Sequence, residues 1–132
     1  MLVTDTDLLI DLLGPSRDHH GAAVEFVDDH RDVPLGIPTP VLYELARHEA
    51  RTDYGHSVEE LLAALDWGEP LSLTVAAIRH AAFIDADLHD RGEPIAQFDV
   101  LIAGIARSVG GTLVARDDHY ERIENLDTDS YL

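Results

Sequence analysis

The chain has 132 residues, enough for one domain with a real core, and its 45% apolar content excludes a disordered polymer. It contains no cysteine, which excludes structural disulfides, thiolate zinc sites and thiol nucleophiles. Nine basic residues, all of them arginine, face 26 acidic ones, for a formal net charge of -17.

The elements follow in chain order. Leu2-Val3-Thr4 reads as a short buried strand ending at Asp5, followed by a short helix through Leu8, Leu9, Leu12 and Leu13 that Gly14-Pro15 stops. Ser16 is the expected cap of a helix carrying Ala23, Val24 and Val27 on one face. Leu35 to Ile37 predicts a second strand, and Thr39-Pro40 opens the next helix with a cap and a first-turn proline. Ser57 caps a helix through Val58, Leu61, Leu62 and Leu65 that Gly68 ends, and Leu71 to Leu73 predicts a third strand. Ala77, Ala81, Ile84 and Leu88 mark a longer helix closing at Gly92. Val100 to Val109 is apolar nearly all round, a buried helix ending at Gly110-Gly111, and Thr112 to Ala115 is a strand running into Arg116-Asp117-Asp118. A last short helix and strand are expected in the tail. Strands alternating with helices predict one α/β domain over residues 1–132, with helices on both faces of a mainly parallel sheet.

The acidic start lacks the pattern of a secretory signal, and the longest apolar run, Val100 to Ala106, is far too short to span a bilayer. The expectation is a soluble cytoplasmic protein. Its charge destabilises the compact state by self-repulsion in dilute buffer. Molar salt shortens the screening length to about 3 Å and removes most of that penalty. The absence of lysine favours adaptation to a salt-rich cytoplasm, as in halophiles, over binding of a basic partner.

Asp5, Glu44, Asp99 and Asp117 each fall where a strand ends or a helix begins. An open α/β sheet gathers such places in one crevice. Four carboxylates there repel one another unless a cation joins them. Mg²⁺ is a hard ion that takes oxygen ligands and keeps several waters. It can activate water and neutralise charge at a phosphodiester, and two ions about 4 Å apart can do both together. Asp5 and Asp99 are the first choice for direct ligands, with Glu44 and Asp117 acting through water or at a second ion. Each acid also has a local alternative. Asp5 and Asp99 suit helix caps, Glu44 a solvated face and Asp117 a turn, where Asp118 competes with it.

Asp5-Thr6-Asp7 after a strand is also how haloacid-dehalogenase-like phosphatases begin, and receiver domains share an acidic pocket. Both families use a lysine beside the phosphoryl group, and this chain has none. Four segments instead resemble the motifs of the PIN-domain family: Leu2 to Leu13, Thr39 to Ala46, Phe98 to Ala106, and Gly111 to Asp117 with His119 to Ile123. Among PIN proteins the length and ending most resemble VapC-type toxins. The resemblance implies a three-layer α/β/α fold and a ribonuclease that hydrolyses RNA with Mg²⁺ or Mn²⁺. It also implies a homodimer and a VapB-like antitoxin that occupies the cleft. Asp7 stands where the family more often has Asn or Ser, and Ala115 where it often has Thr.

Thr6 is a candidate for orienting a carboxylate or for simple turn chemistry. Glu44, Arg47, His48 and Arg51 share a helical face, either as phosphate contacts beside the cleft or as a salt-bridge stripe. Arg116 is another candidate phosphate contact, and Tyr43, Phe98 and Tyr120 are candidates for base stacking, with core packing the preferred role for Phe98. Asp85 and His89 have helical spacing, but no His-Glu-x-x-His zinc pattern or Gly-x-Ser-x-Gly elbow occurs. A non-catalytic PIN-like module that binds RNA or protein, and a small metal-dependent phosphatase, are the alternatives to the nuclease.

Overall fold

The computed structural model describes residues 1–52 and 55–132. Five strands, β1 (Leu2–Thr4), β2 (Leu35–Pro38), β3 (Gly68–Leu71), β4 (Thr112–Ala115) and β5 (Asp127–Ser130), form one sheet in the order β3-β2-β1-β4-β5. Every neighbouring pair is parallel. Six α-helices accompany them among the described residues: α1 (Thr6–Leu13), α2 (His20–Asp29), α3 (Thr39–Ala50), α4 (Val58–Ala64), α5 (Val75–Asp90) and α6 (Gln97–Ser108). A 3₁₀ turn spans His119–Arg122.

Alternation along the strands sends side chains to two sides. Val3, Ile37, Leu113 and Ala115 join the main core with residues of α3, α4, α5 and α6. Val114 and Leu2 pack instead with Leu8, Ala23, Phe26 and Tyr131. The α/β/α layering and parallel sheet match the fold read from the sequence. From β1 the chain moves outward on one side through β2 and β3, then returns to β4 on the other. The topological switch therefore lies between β1 and β4, and a ligand crevice is expected at their carboxyl ends.

The helix ends explain much of this geometry. Ser57 and Glu60 form a reciprocal capping box on α4, as the sequence suggests, and Thr74 caps α5. Gly92 (φ 70°) and Gly110 (φ 65°) take the left-handed positions that end α5 and α6. Gly104 lets α6 approach α5 closely, because a Cβ there would lie 2.7 Å from the Ala77 carbonyl oxygen.

Several boundaries differ from expectation. Ser16 caps nothing: residues 14–19 form turns, with Arg17 drawn to Asp11, and α2 starts only at His20. Thr39 is the first residue of α3 rather than its cap, which is Pro38. Gly68 opens β3, which ends at Leu71 instead of beginning there. This strand lies at the sheet edge, where Pro70 is tolerated because an edge strand can spare an N–H. The buried helix begins at Gln97, so Asp99 lies in its first turn. No helix among the described residues is long and apolar enough to cross a membrane.

Candidate functional site

Asp5 follows β1 directly and caps α1, accepting a 2.8 Å hydrogen bond from the Thr6 N–H. Asp99 enters from the first turn of α6, where the helix dipole favours an anion. The two acids meet at Tyr120, whose hydroxyl lies 3.1 Å from Oδ1 of Asp5 and 3.1 Å from Oδ1 of Asp99. Glu44, on α3, reaches the same region through Thr6, whose hydroxyl donates to Glu44 Oε1 at 2.8 Å. The carboxyl end of β1 and the starts of α1 and α6 thus bring two of the four predicted acids together and tie a third beside them.

Asp117 stands apart. It is exposed at the rim after β4, and its charge acts on the site from there, helping to raise the pKa of Asp7. Asp118 is exposed as well.

The electrostatics are unfavourable to two bare carboxylates. Asp5 is only 5% exposed. Burial, reinforced by the charges of Asp99 and Asp7, pushes its carboxyl up to about 7, although hydrogen bonds from the Thr6 N–H and Tyr120 oppose the rise. Burial also raises Asp7, with Asp117, Asp11 and Asp99 adding to it and Arg116 opposing. Burial and the two acids keep the Tyr120 phenol protonated far beyond its ordinary range. Among the described residues no arginine pairs with Asp5 or Asp99. The basic neighbour is His119, whose Nε2 lies 3.1 Å from Asp99 Oδ2 without the alignment of a hydrogen bond.

The arginines expected at phosphate have other partners. Arg116 lies 3.4 Å from both Asp7 and Asp11. Asp11 is 1% exposed and also receives Arg17 Nε at 2.8 Å and the Tyr131 hydroxyl at 2.6 Å. Burial disfavours its charge, but the bonds from Arg17 and Tyr131 and the charge of Arg116 hold its carboxyl below the usual range. Arg47 forms no stripe of ion pairs with Glu44. Its guanidinium lies over the stacked rings of Tyr43 and Phe98.

Tyr120, Asp11, His119 and Tyr131 went unassigned to the acids in the sequence. Tyr120, a stacking candidate by sequence, is 1% exposed and meets the acids through its hydroxyl. Its one local signal is its place three residues after Asp117, in a tight turn that folds back on the crevice. Ala115 is buried in the core, and the hydroxyls that reach the acids are those of Tyr120, on Asp5 and Asp99, and of Thr6, on Glu44.

The donor set fits a hard divalent cation. It is all oxygen, and burial together with the neighbouring acids pushes its buried member, Asp5, up to about 7, a rise that a cation would oppose. As they stand, no three Asp, Glu or His side chains among the described residues enclose an ion. An ion on Asp5 and Asp99 would complete its shell with water, as Mg²⁺ commonly does. A cavity of about 170 Å³ at the amino-terminal ends of β1 and β2, lined by Leu2, Phe26, Leu35 and Trp67 with His30 and Arg31, brings no acids together.

The PIN domain family model matches residues 2–126 of the chain. The chain belongs to the PIN-domain family. All four acids lie within the matched segment. No curated protein sequence matches the chain. Solved structures share the PIN fold at low identity. VapBC2 from Rickettsia felis, bound to a DNA fragment from its promoter, is 19% identical with a TM-score of 0.85, over 98% of this chain and 97% of that one. DNA-bound VapBC from Salmonella typhimurium is 24% identical with a TM-score of 0.80, over 99% and 98%. Mycobacterium tuberculosis VapC20, a sarcin-ricin loop cleaving toxin, is 14% identical with a TM-score of 0.72, over 92% and 94%.

Proposed function

We propose that this PIN domain is a divalent-metal-dependent endoribonuclease and the toxin of a VapBC-type toxin-antitoxin pair. The observation that carries the reading is the convergence of Asp5 and Asp99 on Tyr120 at the topological switch point, with no arginine among the described residues to neutralise them. The similarity to toxin-antitoxin complexes, and to a toxin that cleaves the sarcin-ricin loop, supports the same class.

Asp5 and Asp99 would hold Mg²⁺ or Mn²⁺ directly, with Glu44 and Asp117 contributing through water or at a second ion. When bound, the cation supplies water activation and neutralises charge at the phosphodiester. The chain's own groups prepare this. The Tyr120 hydroxyl stands between the two carboxylates and can donate to either, and Thr6 orients Glu44. Arg116, braced between Asp7 and Asp11, sets the local charge rather than reaching freely for phosphate. Arg47 is exposed and able to meet the RNA strand.

A VapB-like antitoxin covering the crevice, a homodimer and a cytoplasmic, salt-rich setting complete the proposal. The test is cleavage of cellular tRNA and rRNA in molar potassium chloride, with and without Mg²⁺. Cleavage only with the metal supports the enzyme. RNA binding without cleavage points to a non-catalytic module, and hydrolysis of a small phosphomonoester with RNA spared points to a phosphatase.

A further inference from the structure

Among the described residues, one buried side-chain atom has no hydrogen-bond partner: Nε2 of His119. A buried polar atom left bare costs free energy, so its place calls for an explanation. His119 opens the 3₁₀ turn that also carries Tyr120, and the two rings lie against each other with centroids 4.2 Å apart. Tyr120 meets Asp99 at Oδ1. Nε2 of His119 stands 3.1 Å from Oδ2, the oxygen that Tyr120 leaves open.

We propose that His119 is a ligand of the divalent cation, giving Nε2 to the ion that Asp5 and Asp99 hold, and that the site therefore takes Mn²⁺ in preference to Mg²⁺. This rests on the reading of the crevice as a metal centre, and it adds a nitrogen to a set of oxygens. Distance and direction carry it together. Neighbouring ligands of an octahedral ion, each about 2.0–2.1 Å from it, stand about 3 Å from one another. The ion then lies along the nitrogen lone pair, off the line that joins nitrogen to oxygen. A hydrogen bond asks for the opposite, an oxygen nearly in line with the N–H. Nε2 and Oδ2 have a separation that suits both arrangements, but they lack the alignment of the second.

Chemistry sets the preference between ions. Imidazole suits first-row transition metals, whereas Mg²⁺ keeps to oxygen. An imidazole ligand binds as the neutral ring, so it joins two carboxylates on one ion without adding to their repulsion. The side chains of His119 and Asp99 are 21% and 25% exposed, so water can reach the rest of the shell. Other histidines are engaged elsewhere. His20 and His30 turn Nδ1 to backbone carbonyls, and Nδ1 of His80 accepts from Arg107. None of these contacts involves an acid of the crevice.

The test is Mn²⁺ added below stoichiometry to the purified metal-free chain, read by pulsed electron paramagnetic resonance, with calorimetric titrations of Mn²⁺ and Mg²⁺ beside it. The wild-type spectrum should carry the nitrogen modulation of a bound imidazole. His119→Phe keeps a ring over Tyr120 and removes the nitrogen, and it should abolish the modulation. Its Mn²⁺ affinity should fall at least about 10-fold, as much as the loss of an outer partner of a ligand costs, with Mg²⁺ affinity changed far less. A histidine that only paired with Asp99 from outside the shell would move both ions alike. His119→Gln gives a second arm if His119→Phe melts early. Modulation absent from the wild type or persisting in both variants, or equal losses of Mn²⁺ and Mg²⁺ affinity, would overturn the ligand. An acidic metal centre would still stand if Asp99→Asn abolished binding. Failure of the wild-type chain to bind either ion would overturn both readings.

Discussion

The hydroxyl of Tyr120 lies 3.1 Å from Oδ1 of Asp5, joining the turn after β4 to the first residue beyond β1. The same hydroxyl is equally near Asp99, yet it carries one proton. It cannot donate to both carboxylates at once. A proton held on one of the two carboxyls, or a cation close by, relieves that contact.

That shared proton makes stability depend on pH. Asp5 is raised from 3.8 to about 7, so the folded chain binds the proton more tightly than the unfolded one. The group's stabilisation is full below pH 3.8 and is lost as pH rises through about 7. Asp5→Asn cannot ionise, and it should stabilise the metal-free protein at pH 8 by up to roughly 4 kcal/mol while abolishing cleavage. Melting curves in chelator from pH 4 to 8 check this. Mg²⁺ should raise the wild-type Tm at pH 8 and leave that of Asp5→Asn unchanged.

Tyr120→Phe keeps the buried ring and removes the hydroxyl. Stability should change by only about 1–2 kcal/mol. Metal affinity should fall about 10- to 100-fold, because an outer partner that orients two ligands is lost. Calorimetric Mn²⁺ titration beside thermal melts separates the two effects.

Asp11 illustrates a different use of charge. Asp11→Ala would leave the Tyr131 hydroxyl without its partner and strip Arg17 and Arg116 of one each. The expected loss is about 2–3 kcal/mol, measured by denaturant unfolding at pH 7. Asp11 is lowered, so its contribution is present above the ordinary carboxylate range and is lost as pH falls through its folded-state value.

The net charge of -17 implies a response to salt. Tm should climb from dilute buffer to molar potassium chloride as self-repulsion is screened. A melting temperature independent of salt would remove the case for a salt-rich host.

The sequence showed the parts of the fold whose signals are local. Buried runs marked β1, β2 and β4, the spacing of Ala77, Ala81, Ile84 and Leu88 marked α5, and Asp5 stood out because an acid follows an apolar strand. β3 was displaced because Glu69 and Pro70 are exposed on an edge and leave no apolar run to read. The capping role expected of Ser16 failed because Arg17 turns toward Asp11, a contact that periodicity does not encode. The partners of the acids were harder still. Tyr120 meets Asp5 across 115 positions and Tyr131 meets Asp11 across 120, so only the assembled sheet brings them together. Glu44 and Thr6 were both singled out, but their hydrogen bond emerged only with α1 and α3 in place.

The most direct test of the acidic pair as a metal-dependent ribonuclease centre compares purified wild-type protein with Asp99→Asn on cellular RNA in molar potassium chloride. Mg²⁺ is titrated from chelated to saturating. Wild-type cleavage that appears with the metal and disappears in Asp99→Asn, with the variant still folded, is the expected result. Cleavage that persists undiminished in Asp99→Asn, or that ignores the metal, would contradict it.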